Sequence, residues 1–84
     1  MGGEKKQIIT ISEPECGAKP TLYAALLKHV NKSALKSHVK NGLNESGVEI
    51  GDNDLADVVD RLYDYDYAWH DERFLIEVTQ INED

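Results

Sequence analysis

The chain has 84 residues, 40% of them hydrophobic, and a formal net charge of −7 at pH 7. This composition predicts one globular domain and excludes a disordered chain. No run approaches the roughly 20 apolar residues of a membrane-spanning helix, and the amino terminus lacks the apolar stretch of a signal peptide, so we expect a cytoplasmic protein.

Charge is distributed unevenly along the chain. Residues 1–48 hold seven lysines and four glutamates, a balance of +3, whereas residues 49–84 hold twelve acidic residues and two arginines, a balance of −10. Because the charges are separated along so short a chain, we expect two surfaces of opposite sign. Such a field steers encounters with charged partners but does not specify a fold.

The first half of the chain predicts one strand and two helices. Residues 7–12 alternate in the manner of a short strand, and residues 13–20 contain the proline and glycine residues of a loop. Thr21 can cap a first helix and Ser33 a second, which is predicted to end near 41–42 or 44–47. The apolar stripes are Leu22, Leu26, Leu27 and Val30 in the first helix, and Leu35, Val39 and Leu43 in the second.

A third helix and a hairpin are predicted in the second half, after residues 48–50, which could form a short strand or an extended connection. The apolar residues 55, 58, 59 and 62 fall at i, i+3, i+4 and i+7, and from residue 63 onward the period becomes two. We therefore expect strands at 63–69 and 74–81 around a four-residue turn. This register pairs Trp69 with Phe74, Tyr67 with Ile76, Tyr65 with Val78, Asp66 with Glu77 and Asp64 with Thr79.

The resulting prediction is an α+β fold with three helices packed on a small antiparallel sheet, in the order strand, helix, helix, helix, hairpin. Over residues 21–81 this order resembles a winged helix, in which the third helix occupies the recognition position and the hairpin forms the wing. We predict a single domain at 7–81 with flexible tails at 1–6 and 82–84.

The acidic, tyrosine-containing hairpin is the predicted partner-binding surface. In the predicted register Asp66 opposes Glu77, and like charges directly opposed across strands are unfavourable unless a cation covers them. That cation could be a lysine of the same chain or the basic surface of a partner. Tyrosine suits a protein interface because it offers apolar area with a polar tip. The predicted partner-binding residues are Asp57, Asp60, Asp64, Tyr65, Asp66, Tyr67, Trp69 and Glu77.

These features favour a non-enzymatic regulatory or inhibitory protein that docks an acidic face on a basic protein surface. In one form of this hypothesis the partner normally binds nucleic acid and the carboxylates mimic phosphates. The alternative is a winged-helix-like nucleic-acid-binding regulator, although the aspartates of the predicted third helix would repel phosphate from it. The alternative rests on lysines at every fourth position, namely Lys28, Lys32, Lys36 and Lys40.

No sequence motif in the chain identifies a catalytic activity or a metal-binding site. A nucleophile elbow, a glycine-rich phosphate loop and a zinc-protease motif are all absent from the sequence. The single cysteine, Cys16, excludes an internal disulfide and a cysteine-rich zinc site. The aspartates of the third helix do not match the calcium-loop template. With Asp52 at its first position, the template needs glycine at position 57 and glutamate at position 63, where this chain has Asp57 and Tyr63. We therefore predict no enzymatic activity, no metal and no cofactor.

Overall fold

The computed structural model describes residues 5–15, 17–28 and 31–82, with the backbone alone for the first two and the last two of these residues. They form two helices and four strands in an α+β fold. The sheet is antiparallel throughout, with strand order β2-β1-β4-β3. The elements are β1 (Lys5–Ser12), β2 (Thr21–Leu27), α1 (Lys32–Glu45), α2 (Asp52–Tyr65), β3 (Tyr67–His70) and β4 (Phe74–Asn82).

The core lies between one face of the sheet and the two helices. In β1 the inward residues Ile9 and Ile11 are fully buried, and in β4 Ile76 and Val78 face the same way. Burying one such side chain contributes about 1.5–3 kcal/mol. The stripes predicted for the second and third helices are confirmed. Their buried residues are Leu35, Val39 and Leu43 in α1, and Leu55, Val58, Val59 and Leu62 in α2.

The ends of the helices refine the sequence prediction. Asn31, not Ser33, caps α1, and its Oδ1 accepts a hydrogen bond of 2.7 Å from the Ala34 N–H. The helix ends at Glu45, and Gly47 follows with a φ of 80°. Residues 48–50 form no strand and connect the two helices. Across the described residues, no helix is long and apolar enough to cross a membrane.

The sequence predicts a helix that begins at Thr21. This prediction is wrong, because residues 21–27 form the edge strand β2. Its partly or fully buried positions are Tyr23, Ala25 and Leu27, which alternate with exposed ones. Leu26 was expected in the core and is 60% exposed. Val30, the last residue of the predicted stripe, lies outside the described residues. With two helices in place of three, the winged-helix resemblance is overturned.

The cause of this error is that leucine and alanine favour helices while the pairing partner lies in another part of the chain. β2 pairs with β1 from Gln7↔Leu27 to Ile11↔Tyr23, with a register shift just before Ser12. Pairing and burial against β1 and α1 override the local helix propensity of this segment.

The predicted hairpin also differs from the structure. Helix α2 continues through Tyr65, and Asp66 ends it in the left-handed conformation with φ 68°, donating its N–H to the Leu62 carbonyl at 2.9 Å. The turn then has three residues instead of four, so Trp69 pairs with Leu75. A shift of one residue exchanges the two faces of a strand. All five predicted cross-strand pairs are therefore wrong, and Ala68 is the β3 residue that is buried in the core.

Helix α1 approaches the sheet most closely at Gly42, which is buried. A Cβ at this position would lie 2.5 Å from Cδ1 of Ile11 and 2.7 and 2.8 Å from two ring atoms of Tyr23. These distances leave no room for a side chain, so the glycine sets the spacing between α1 and the first two strands.

The two central strands extend beyond the predicted domain limits. β1 begins at Lys5 and β4 ends at Asn82, and these two residues pair with each other. The other residues of the predicted tails, 1–4 and 83–84, lie outside the described residues.

Candidate protein-binding surface

Three of the predicted site residues form an acidic stripe on α2. Asp57, Asp60 and Asp64 are exposed and follow one another at spacings of three and four residues, opposite the buried side of the helix. They lie together because α2 is amphipathic, so that the side turned from the core is free to be charged. The whole helix carries five aspartates against one arginine. We call Asp57, Asp60 and Asp64 the acidic stripe.

Two cations of the same chain contact the acidic stripe. Lys32 of α1 lies 3.1 Å from Asp60, and Arg61 lies 3.2 Å from Asp57 one helical turn away. The hydrogen bond and the charge of Asp60, with a contribution from Asp64, raise the pKa of the Lys32 ammonium group. Exposed pairs of this kind contribute about 0–1 kcal/mol each. They are therefore weak enough to exchange for the cations of a partner.

Asp64 is the carboxylate of the stripe that forms no ion pair among the described residues. In the described part of the chain, no lysine or arginine nitrogen lies within salt-bridge distance of it. The adjacent Tyr63 is half exposed and receives the Lys32 ammonium 5.4 Å from its ring centroid. Asp64 is exposed, as are Asp57 and Asp60.

An aromatic cleft lies at the β3 edge of the sheet and meets the acidic stripe at Arg61. Tyr65 ends α2, and Tyr67 and Trp69 belong to the edge strand β3, so the turn at Asp66 brings these aromatic side chains together. With Arg61 and Ala68 they line a cavity of about 340 Å³. We call the group of Arg61, Tyr65, Tyr67 and Trp69 the aromatic cleft.

The aromatic side chains of the cleft are largely open to solvent. Tyr65 is 68% exposed, Tyr67 54% and Trp69 45%. A cluster of exposed aromatic residues is typical of a protein interface, where such side chains bury large areas and keep a polar tip.

The remaining predicted site residues, Asp66 and Glu77, belong to neither group but border the aromatic cleft. Glu77 is on the outer face of the sheet, opposite Tyr67 and not opposite Asp66, and Lys19 lies 2.6 Å from its carboxylate. Asp66 caps α2, and its carbonyl accepts the Val78 N–H at 2.8 Å. The expected repulsion between residues 66 and 77 is therefore absent from this pairing, since the two side chains do not oppose each other.

The lysines of the alternative hypothesis are divided between two elements. Lys32, Lys36 and Lys40 recur every four residues on α1, whereas Lys28 follows the end of β2. Lys32 is engaged by Asp60. A continuous basic stripe of four lysines is therefore not formed.

A partly buried pair between β2 and α1 was not anticipated from the sequence. The Tyr23 hydroxyl lies 3.0 Å from Nδ1 of His38. Burial, with the charge of Glu45 adding to it, raises the pKa of Tyr23 above its ordinary value of 10.0. This hydrogen bond links α1 to β2.

The described residues contain no group of three or more histidine, cysteine, aspartate or glutamate side chains that could hold a metal ion. His29, one of the three histidines, lies outside these residues, as does Cys16. Comparison with protein-family models, curated proteins and solved structures finds no match for this chain.

Proposed function

We propose that this chain is a non-enzymatic binding protein, a regulator or inhibitor, that docks its acidic stripe and aromatic cleft on a basic protein surface. The observation that carries the proposal is the cluster of three exposed aromatic side chains, Tyr65, Tyr67 and Trp69. They share a cleft with Arg61, which in turn pairs with Asp57 of the acidic stripe. Solvent-exposed aromatic area of this size gains free energy when a partner covers it.

The two groups have different roles in such an interface. The carboxylates attract a basic partner at long range and orient it, which raises the association rate. The aromatic cleft accepts apolar or arginine side chains and slows dissociation, because buried aromatic residues dominate interface energetics. Arginine is the favoured partner residue, since it pairs with carboxylates and stacks on aromatic rings.

A nucleic-acid-binding protein is the partner class that the helix geometry favours. The rise of 1.5 Å per residue spaces Asp57, Asp60 and Asp64 by about 4.5 and 6 Å along the axis. These spacings are of the same order as the roughly 3.4 Å rise between phosphates of one DNA strand. A regular row of carboxylates on a rigid helix can therefore occupy a groove built for a phosphate backbone.

The proposal is tested by titrating the protein with an arginine-rich peptide at several salt concentrations. Trp69 is the single tryptophan of the chain and lies in the cleft, so its fluorescence reports binding directly. We expect a saturable fluorescence change, with affinity that falls as salt screens the charges. A titration without any change in Trp69 emission would contradict the proposed surface.

A charge-matched pair of variants separates the site from general acidity. Asp57→Lys combined with Asp64→Lys changes the net charge from −7 to −3, and so does Glu15→Lys combined with Glu49→Lys, because each reversal adds two charges. We expect the first variant to lose most of its affinity and the second to bind nearly as wild type does. Equal losses would show that net charge, and not this surface, governs binding.

Tyr67→Ser tests the cleft separately, because it leaves both the charge and the Trp69 reporter in place. It should weaken binding without changing the salt dependence.

Duplex DNA serves as a further titrant. Binding that disappears when Lys36 and Lys40 are both changed to glutamine would favour the nucleic-acid alternative over the proposal.

A further inference from the structure

The edge strand β3 directs half of its backbone groups away from the rest of the sheet. The Val78 N–H donates to the Asp66 carbonyl at 2.8 Å, and Asp66 directly precedes β3. Hydrogen-bonded pairs alternate with non-hydrogen-bonded pairs along an antiparallel ladder. In this register the pairs that Tyr67 and Trp69 form with β4 are the non-hydrogen-bonded ones. The N–H and C=O groups of Tyr67 and Trp69 therefore point to the open edge of the sheet.

This open edge forms part of the aromatic cleft. The strand order places β3 at the margin of the sheet, and over the described ranges it pairs with β4 alone. The cleft of about 340 Å³ is lined by Arg61 and Tyr65 of α2 and by three of the four residues of β3. It is therefore bounded by a helix and by an edge strand with unpaired backbone groups.

We propose that the basic partner adds an extended segment to the β3 edge and pairs its main chain with Tyr67 and Trp69. Strand addition is a recurring mode of peptide recognition, in which main-chain hydrogen bonds supply affinity and alternate side chains supply specificity. β3 has only four residues, so it offers two N–H and two C=O groups to the segment. This inference rests on the proposed function and specifies the form of its partner.

The side chains of the added segment alternate between two chemically different surfaces. Residues that directly oppose Tyr67 and Trp69 place their side chains on the same face as these two aromatic rings. The residues between them point to the face that the helices cover, as Ala68 does, and there α2 carries five aspartates against Arg61. The segment should therefore alternate apolar residues, which contact the aromatic rings, with arginine or lysine, which face α2.

Charge favours a basic segment over a second copy of this chain at the β3 edge. Residues 49–84 include α2, β3 and β4 and carry twelve acidic residues against two arginines. Pairing of two β3 strands would bring two such regions together, and like charges in close contact are unfavourable. A basic segment brings the opposite charge, and the attraction raises its association rate.

Peptides with selective N-methylation test the main-chain pairing. The probe is an acetylated and amidated peptide of about seven residues that alternates arginine and valine, and Trp69 fluorescence reports its binding. Methylation of two successive valines removes N–H groups that face β3, whereas methylation of two successive arginines removes N–H groups that face away. We expect the first peptide to bind at least about tenfold more weakly than the unmodified one, and the second to bind nearly as well.

The outcomes separate this inference from the proposed function. If the valine-methylated peptide binds no more weakly than the arginine-methylated one, while both change the Trp69 emission, strand addition is overturned and the proposed surface remains. If no peptide changes the Trp69 emission, the proposed function is contradicted and strand addition fails with it.

Trp69→Pro and Trp69→Ala form a matched pair of variants. Both remove the indole ring, but only proline removes the N–H at the open edge, a position where an edge strand tolerates proline. A fluorescein-labelled peptide should bind about two- to tenfold more weakly to the proline variant than to the alanine variant. Equal affinities, with both variants keeping the wild-type circular dichroism spectrum, would overturn the proposal.

Amide hydrogen exchange gives a readout on the wild-type chain. In the free protein the N–H groups of Tyr67 and Trp69 should exchange quickly, whereas that of Ala68, which faces β4, should be protected. Saturating unmodified peptide should slow the exchange at residues 67 and 69 by about tenfold or more, with Ala68 as the internal control. Unchanged exchange at both residues would overturn the proposal. Protection in the free protein that grows with its concentration would mean that two copies pair through β3, and would overturn it as well.

Discussion

Replacing Gly42 with alanine tests how α1 is seated on the sheet. In an exposed helix this change stabilises by about 1 kcal/mol, because glycine is the poorer helix former. Here the new methyl group would overlap Cδ1 of Ile11 at 2.5 Å and the Tyr23 ring at 2.7 and 2.8 Å. One of the two ring atoms is Cγ, which cannot swing away unless the whole side chain moves. The sign of the effect therefore depends on packing.

The magnitude follows from the two opposing contributions. Overpacking a well-filled core costs about 1–3 kcal/mol. With three contacts below 3.0 Å we take the upper part of that range, which leaves a net loss of about 2 kcal/mol after the gain in helix propensity. A loss of 1 kcal/mol lowers the melting temperature of a domain of this size by roughly 4–8 °C, so the expected decrease is about 8–16 °C.

Urea unfolding followed by circular dichroism measures the loss directly. Asn41→Ala is the control, because residue 41 is the exposed neighbour in the same helix and should gain up to about 0.7 kcal/mol. Adding Ile11→Val to the Gly42→Ala chain removes the closest contact and should recover part of the loss. A Gly42→Ala protein more stable than wild type would refute the close approach of α1 to β1 and β2.

Three further predictions concern the core, a helix end and a titrating group. Leu62→Ala should cost about 2–5 kcal/mol, since Leu62 is 1% exposed; a loss below about 1 kcal/mol in urea unfolding would contradict the packing of α2. Asp66→Gly should raise stability by up to about 1 kcal/mol, because glycine accepts the left-handed backbone without strain, and a lower melting temperature would show that the aspartate side chain is needed there. Because burial raises the pKa of Tyr23 in the folded state above 10.0, its contribution is fully present below pH 10 and is lost as pH rises through the folded-state pKa. Tyr23→Phe should be less stable at neutral pH through loss of the His38 hydrogen bond, yet lose less stability above pH 10 than wild type; parallel pH profiles would refute this origin.

Both helices could be predicted from the sequence because each buries a single face. Residues 35, 39 and 43 in α1, and 55, 58, 59 and 62 in α2, recur with the helical period and are all buried. The β2 segment could not be assigned in this way. Its leucines fit a helical spacing, whereas its strand character depends on β1, whose residues lie elsewhere in the chain. A local sequence pattern carries no information about pairing with a distant segment.

The arrangement of the aromatic residues in the candidate site depends on whether the β3–β4 turn has three residues or four. A four-residue turn placed the β3 aromatics opposite Phe74 and Ile76, whereas the three-residue turn gives that inward position to Ala68. Tyr67 and Trp69 consequently face outward and meet Tyr65 at the end of α2. The sequence alone predicted that acidic and aromatic residues form the surface. It could not predict which of them lie next to each other, because that depends on the left-handed conformation of Asp66, which no hydrophobic pattern indicates.

The strand order also has a consequence for the way the chain folds. β1 pairs with β2, and β3 with β4, inside two local hairpins, but the central β1–β4 pairing joins Lys5 to Asn82 across almost the entire chain. Closing a loop of that length is the largest entropic barrier in this topology, so each hairpin can form before the sheet is whole. The inward residues of β1 and β4 cannot be enclosed until this closure occurs. The two helices therefore gain most of their packing in the same late step, and the domain should unfold as one cooperative unit.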